Sequence, residues 1–167
     1  MKLANFFFGA ATLVTVSFTL SFVHPLGDPR SAEPDGGTIL SGSNVPADVR
    51  QLLSAKCGDC HSNGTRWPVY SRFAPGSWLV ERDVLEGRNH LNLSVWQGID
   101  SERQQDLLAR IGSEVRGGEM PVAQYLILHP SARLSDAEKQ SIYRWTKVER
   151  IRLKTVATNG EKVSATN

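Results

Sequence analysis

Residues 57–61 read Cys-Gly-Asp-Cys-His, and they hold both cysteines of the chain. Two thiols at this spacing, followed at once by an imidazole, admit three chemistries: a redox dithiol, half of a metal site, or the attachment point of a haem. A dithiol of the thioredoxin type follows a strand and opens a helix, whereas here an amphipathic helical pattern leads into Cys57 and no βαβ alternation surrounds it. A structural zinc ion needs four ligands, and His90 and His129 are isolated and far from the pair. Both of those readings also leave His61 without a task. Covalent haem uses every fixed residue: Cys57 and Cys60 add across the two vinyl groups and His61 reaches the iron as proximal ligand. The expectation is one haem c, since no second motif of this kind occurs.

The N-terminal run bears on the compartment. Leu3 to Val23 carries no charged side chain, and a helix of that length rises far enough, at about 1.5 Å per residue, to cross a hydrocarbon layer of about 30 Å. Lys2 stays cytoplasmic by the positive-inside bias, so the remainder is exported. The run leaves through Phe22, Val23, His24 and Pro25 without the small-residue pattern of a cleavage site, so residues 1–23 are expected to be a retained transmembrane anchor, with a cleaved signal as the alternative. Residues 24–43, rich in Pro, Gly, Ser and Asp, read as a linker. Residues 44–156 read as the haem-binding domain and 157–167 as a polar, flexible tail. A net charge of +2 points to no polyanionic partner, and no nucleic acid is expected.

Within the domain the apolar spacing is helical rather than alternating. Asn44 is expected to cap a helix with Pro46 in its first turn and Val49, Leu52 and Leu53 on one face. Ser77 is expected to cap a second helix, with Leu79, Val80, Val84 and Leu85 to one side. A third starts at Asp100 or Ser101, carries Leu107, Leu108 and Ile111, and stops at Gly117 and Gly118. Ser135 and Glu138 form a capping box before Ile142, Trp145 and Val148. The best strand signal, Tyr125 to Leu128, is poor, so the class is mostly α with long loops.

Beyond the initiator, Met120 is the one methionine, and it lies in Arg-Gly-Gly-Glu-Met-Pro rather than on a helix face. A thioether on a glycine-flanked turn can approach a flat cofactor closely, so Met120 is expected as distal ligand, against His90 or an open position. The second ring nitrogen of His61 needs an acceptor, and the carbonyls of Pro68 or Pro75 are candidates. Trp67, Tyr70, Phe73 and Trp78 could line the haem or simply pack. Arg66 and Arg72 could pair with propionates or stay solvated.

Residues Cys57 to Trp96, with C-x-x-C-H-S-N, Trp67-Pro68-x-Tyr70-Ser71, Ser77-Trp78-Leu79, Asp83-Val84 and Gly87-Arg88, and then Gly118 to Trp145 with Glu119-Met120-Pro121, resemble the bacterial haem-binding domain family of single-haem c-type cytochromes. The resemblance implies a cytochrome c-like bundle of about four helices around one haem, where periodicity alone reads only as helices. It also implies thioethers at Cys57 and Cys60 and axial roles for His61 and Met120. Val69 departs from the aromatic expected at its position. The expected function is that of a membrane-anchored one-electron carrier on the periplasmic face of a bacterial cytoplasmic membrane, or a soluble periplasmic one if the leader is cleaved. Its partners would be redox proteins. The alternative is a haem-based redox or gas sensor with a labile distal ligand, and an electron-transfer role is favoured over an enzyme.

Overall fold

A computed structural model describes residues 2–31 and 39–164, with side chains described over 4–30 and 39–159. Among the described residues every regular element is helical. The order is α1 (Lys2–Leu20), α2 (Ala47–Lys56), α3 (Gly58–His61), α4 (Gly76–His90), α5 (Ser101–Gly117), α6 (Ala123–Leu128) and α7 (Asp136–Ser164). Short 3-10 turns lie at Pro29–Ser31, Val69–Arg72, Leu93–Gly98 and Pro130–Ala132.

α5 and α7 begin or end as their local sequences dictate, whereas Ser77 does not cap α4, whose cap position is Pro75. Asp100 caps α5 by accepting the Arg103 N–H at 2.9 Å, and Gly118 ends it at φ 80°, a left-handed conformation that costs glycine little. The Ser135–Glu138 capping box opens α7: Glu138 Oε2 accepts the Ser135 N–H at 2.7 Å, and Ser135 Oγ accepts the Glu138 N–H at 3.3 Å. Lys56 Nζ joins the same carboxylate at 2.8 Å and so ties α2 to this cap. That ammonium, and then the Ser135 N–H, hold the Glu138 carboxyl at about 2 rather than its ordinary 4.5. Because the folded value is the lower one, its stabilisation is present above about 4.5 and is lost as the pH falls towards about 2. Glu138→Ala is expected to lower unfolding stability by about 1 kcal/mol at neutral pH, and urea titrations of the two proteins should converge across that acid window.

Several elements differ from expectation. Asn44 does not cap α2, whose cap position is Pro46. Asn44 instead pins α7: its carbonyl accepts the Trp145 indole N–H at 3.1 Å and its N–H donates to Glu149 Oε1 at 2.9 Å. Along α4 the buried positions are Ser77, Glu81 and Val84, while Leu79 is exposed. The carboxylate of Glu81 is tolerated inside because Arg30 Nη1 hydrogen-bonds it. Val148 is exposed, and α7 buries Ile142, Trp145, Thr146, Glu149 and Leu153. Tyr125 to Leu128 is helical, and α7 runs past residue 156 to Ser164.

Among the described residues no helix is long and apolar enough to cross a membrane, so the expected transmembrane helix over residues 1–23 is not supported. α1 ends at Leu20 after 19 residues, about 28 Å at the standard rise, because the chain turns at Ser21–Val23 and Pro25 cannot extend the ladder. Its apolar side chains, among them Phe6, Phe7, Phe8 and Leu13, are exposed. Its last turns dock on the domain: Ser17 Oγ donates to the Ala74 carbonyl at 2.5 Å, and the Ala74 N–H returns to the Ser17 carbonyl at 3.1 Å.

The core joins Val49 and Leu53 of α2 to Leu93, Trp96, the inner face of α5, and Ile142 and Trp145 of α7. The segment read as linker contributes Ile39 and Leu40. Residues 32–38 of that segment, and 165–167 of the tail, lie outside the described residues. α5 and α7 approach closely at Gly112, where a Cβ would stand 2.7 Å from Thr146 Oγ1. This scaffold delivers α2 directly into the Cys57 turn.

Candidate functional site

The site is built around α3, a single turn held at both ends. The Cys60 and His61 N–H groups donate to the Cys57 carbonyl at 3.3 and 3.0 Å, which places the three side chains on one turn. Ser62, buried, closes the turn by donating to the Gly58 carbonyl at 2.8 Å. α4 lies directly on this turn, and it can do so because residue 87 is glycine: a Cβ there would sit 2.6 Å from the Cys60 carbonyl oxygen. Arg88, the next residue, donates to the Ser62 carbonyl at 2.9 Å and to Thr65 Oγ1 at 3.0 Å, and so fixes the loop that follows.

His61 Nδ1 lies 3.0 Å from the Leu91 carbonyl, just beyond the end of α4. Neither Pro68 nor Pro75 supplies this partner. The acceptor comes from α4 because that helix packs on α3, a nonlocal fact. Leu91 is held there by an asparagine pair: Asn92 Nδ2 donates to Asn63 Oδ1 at 2.9 Å, and Ser94 Oγ accepts the Asn63 N–H at 2.9 Å. With Nδ1–H donating to a carbonyl, the lone pair resides on Nε2. Burial lowers the His61 pKa below its ordinary 6.5, outweighing the Leu91 and Gly87 carbonyls that favour the cation. The ring is therefore neutral and suited to bind a metal.

The cysteines are free and partly buried. Burial pushes Cys57 up to about 12, with Cys60 adding to the shift, and burial with the Asp59 charge pushes Cys60 up to about 11. A dithiol exchange enzyme needs the opposite, a thiol whose pKa is depressed toward neutrality. A zinc site is equally unsupported, since among the described residues no three His, Cys, Asp or Glu side chains are grouped to hold a metal ion. The donor set that does exist, two unpaired thiols and one oriented imidazole on a single turn, fits covalent haem.

Met120 stands on the α5–α6 connection, partly buried, with its N–H 3.3 Å from the Glu114 carbonyl. Among the described residues no hydrogen bond joins it to the Cys57–His61 turn. The link between the two segments passes through Tyr125, whose hydroxyl donates to Asp59 Oδ2 at 3.0 Å. Burial and the Asp59 carboxylate push that phenol far above its ordinary value, so it remains a donor. His90 is exposed at the end of α4.

The four aromatics after the motif each have a separate partner. Trp67 lies under the Arg30 guanidinium at 4.3 Å, Tyr70 meets His129, Phe73 meets Phe18, and the Trp78 indole donates to the Val23 carbonyl at 2.7 Å. Val69 is exposed. Arg66 is ion-paired with Asp59 at 2.9 Å, and Arg72 is exposed. An open cavity of about 740 Å³ touches the turn only at Gly58 and Ser62, and it is lined by none of Cys57, Cys60, His61 and Met120. Sequence reasoning missed Asp59, Gly87, Leu91, Asn63, Asn92 and Tyr125. The asparagines stood in plain view beside His61 and Leu91, but nothing local marks them as a pair.

A family model described as a haem-binding domain matches residues 15–148. No curated protein and no solved structure gives a significant match.

Proposed function

The chain belongs to the haem-binding domain family, and on that premise we propose that it is a single-haem c-type cytochrome carrying one electron at a time between redox proteins. Cys57 and Cys60 would hold the haem through thioethers, and His61 Nε2 and Met120 Sδ would bind its iron. The observation that carries this reading is the His61 ring, oriented by the Leu91 carbonyl at Nδ1 so that its lone pair is on Nε2, on the same turn as two free thiols. A haem c held there supplies a reversible one-electron ferric–ferrous couple. The chain contributes rigidity: α4 braces the attachment turn, Leu91 fixes the imidazole tautomer, and α5 holds the Met120 turn through Glu114. The exposed apolar side chains of α1 support attachment to a membrane, with the domain outside the cytoplasm where cytochrome maturation takes place.

Absorption spectra of the reduced protein with and without carbon monoxide test this reading. A low-spin spectrum indifferent to carbon monoxide, with a thioether-to-iron band in the oxidised form, is the expected result. Rapid carbon monoxide binding by the unaltered protein would move the reading to a ligand-binding sensor. Met120→Ala is expected to keep the attached haem, open the iron to carbon monoxide, and lower the potential by on the order of 100 mV, within the ~0.8 V span that axial ligands command. An unchanged spectrum would remove Met120 from the ligand set.

A further inference from the structure

We propose that Asp59, inside the Cys57–Cys60 pair, is a positioning residue that latches the Met120-bearing segment to the haem attachment turn through the Tyr125 hydroxyl. The inference rests on the reading of Met120 as distal ligand and says what holds that ligand in place.

Asp59 gathers three segments on one carboxylate. It is anchored in α3, between the two thiols. Its Oδ1 accepts from Arg66 Nε at 2.9 Å and its Oδ2 from Arg66 Nη2 at 3.1 Å, which ties it to the loop after the motif. The same Oδ2 accepts the Tyr125 hydroxyl at 3.0 Å. Arg66 grips the carboxylate by two paired contacts, and a hydrogen bond to a carboxylate is stronger than one between neutral groups.

The Tyr125 ring is itself fixed. It stacks on His129 with centroids 4.2 Å apart and planes 10° from parallel, and His129 Nε2 lies 2.7 Å from the Tyr70 hydroxyl. Tyr125 follows Met120 by only five residues, through Pro121 and the first turn of α6, where the Tyr125 N–H donates to the Val122 carbonyl at 3.1 Å. Proline restricts φ and a helical turn is stiff, so a constraint on Tyr125 is transmitted to Met120. On its other side Met120 is held to α5 through Glu114. The methionine is thus clamped between the end of α5 and a carboxylate that belongs to the attachment motif itself.

Tyr125→Phe in the full, haem-loaded chain is the test, because it removes one hydroxyl and keeps the ring that stacks on His129. Two readouts separate the latch from the ligand assignment. Amide hydrogen exchange over residues 122–129 should quicken by about tenfold relative to α5, the scale of losing one hydrogen bond to a charged group. The thioether-to-iron band should weaken and carbon monoxide binding should become measurable, while haem staining on a denaturing gel stays at the level of the unaltered protein. Asp59→Asn should act in the same direction, and adding Tyr125→Phe to it should change little further. Unaltered exchange in Tyr125→Phe overturns the latch. Faster exchange with an unaltered iron spectrum overturns the positioning role, and Met120→Ala then tells whether the cause is that Met120 is not a ligand.

Discussion

Cys57→Ala combined with Cys60→Ala, produced in cells competent for cytochrome maturation, is expected to abolish haem staining on a denaturing gel completely. The thioethers are the only covalent bonds these side chains can offer a haem, so removing both leaves nothing that survives denaturation. Either single variant retains one thiol and should keep a reduced stain. The thiols serve no other evident purpose: they are not joined to each other, and burial holds both well above the range in which a thiolate attacks a disulfide. Their contribution to packing is modest, since Cys57 borders the core only in part, so the double variant should still show a helical circular dichroism spectrum. Staining that persisted in it would refute covalent attachment at this motif, and with it the cytochrome reading.

Gly87→Ala is expected to cost about 1–3 kcal/mol of stability, the usual range for forcing a methyl group into a packed interface, and to reduce haem incorporation as well. The added Cβ would lie 2.6 Å from the Cys60 carbonyl oxygen and 3.1 Å from its carbonyl carbon. Those atoms are backbone and cannot swing aside, so α3 or α4 must move. The same two elements hold His61 Nδ1 against the Leu91 carbonyl, and a shift of half an ångström there loosens the imidazole that must meet the iron. Gly98→Ala is the matched control, because a Cβ at that position meets nothing within 4 Å and should change stability by no more than about 0.5 kcal/mol. Equal thermal midpoints for the two variants would show that the close approach of α4 to the attachment turn is not what the fold depends on.

These two expectations differ in origin. The first could be written from residues 57–61 alone, since the chemistry of the motif is local and each of its residues has one task. The second could not. Nothing near Gly87 in the chain says that Cys60 lies against it, and a glycine late in a helix reads at first as a mere weakening of that helix. The same contrast recurs at the helix ends. Asp100, Gly118 and the Ser135–Glu138 box act on groups three or four residues away, and each was legible. Asn44 reaches Trp145 and Glu149, so a residue that looked like a cap proved to be a brace on a distant helix.

The face of α4 was misjudged for a related reason. Hydrophobic periodicity assumes that carboxylates point to water, and Glu81 is buried because Arg30, fifty-one positions away, arrives to pair with it. Tyr125 to Leu128, too short and apolar to choose between strand and helix by pattern, became a helical turn between Val122 and His129. The N-terminal run was judged by its uncharged length, but helical geometry ended at Leu20, before Pro25.

What the chain's order of residues determined by itself is the chemistry on offer: two thiols and an imidazole on one turn, a thioether on a glycine-flanked bend, and helices capped by their own neighbours. Tertiary structure alone decided which carbonyl orients the imidazole, which glycine lets α4 reach the turn, and which carboxylate reaches across to Tyr125. The division follows from range. Hydrogen bonds within one helical turn depend on spacing that can be read off the chain, whereas the contacts of α3 with α4 and with Tyr125 of α6 exist only after the core has chosen how those helices pack.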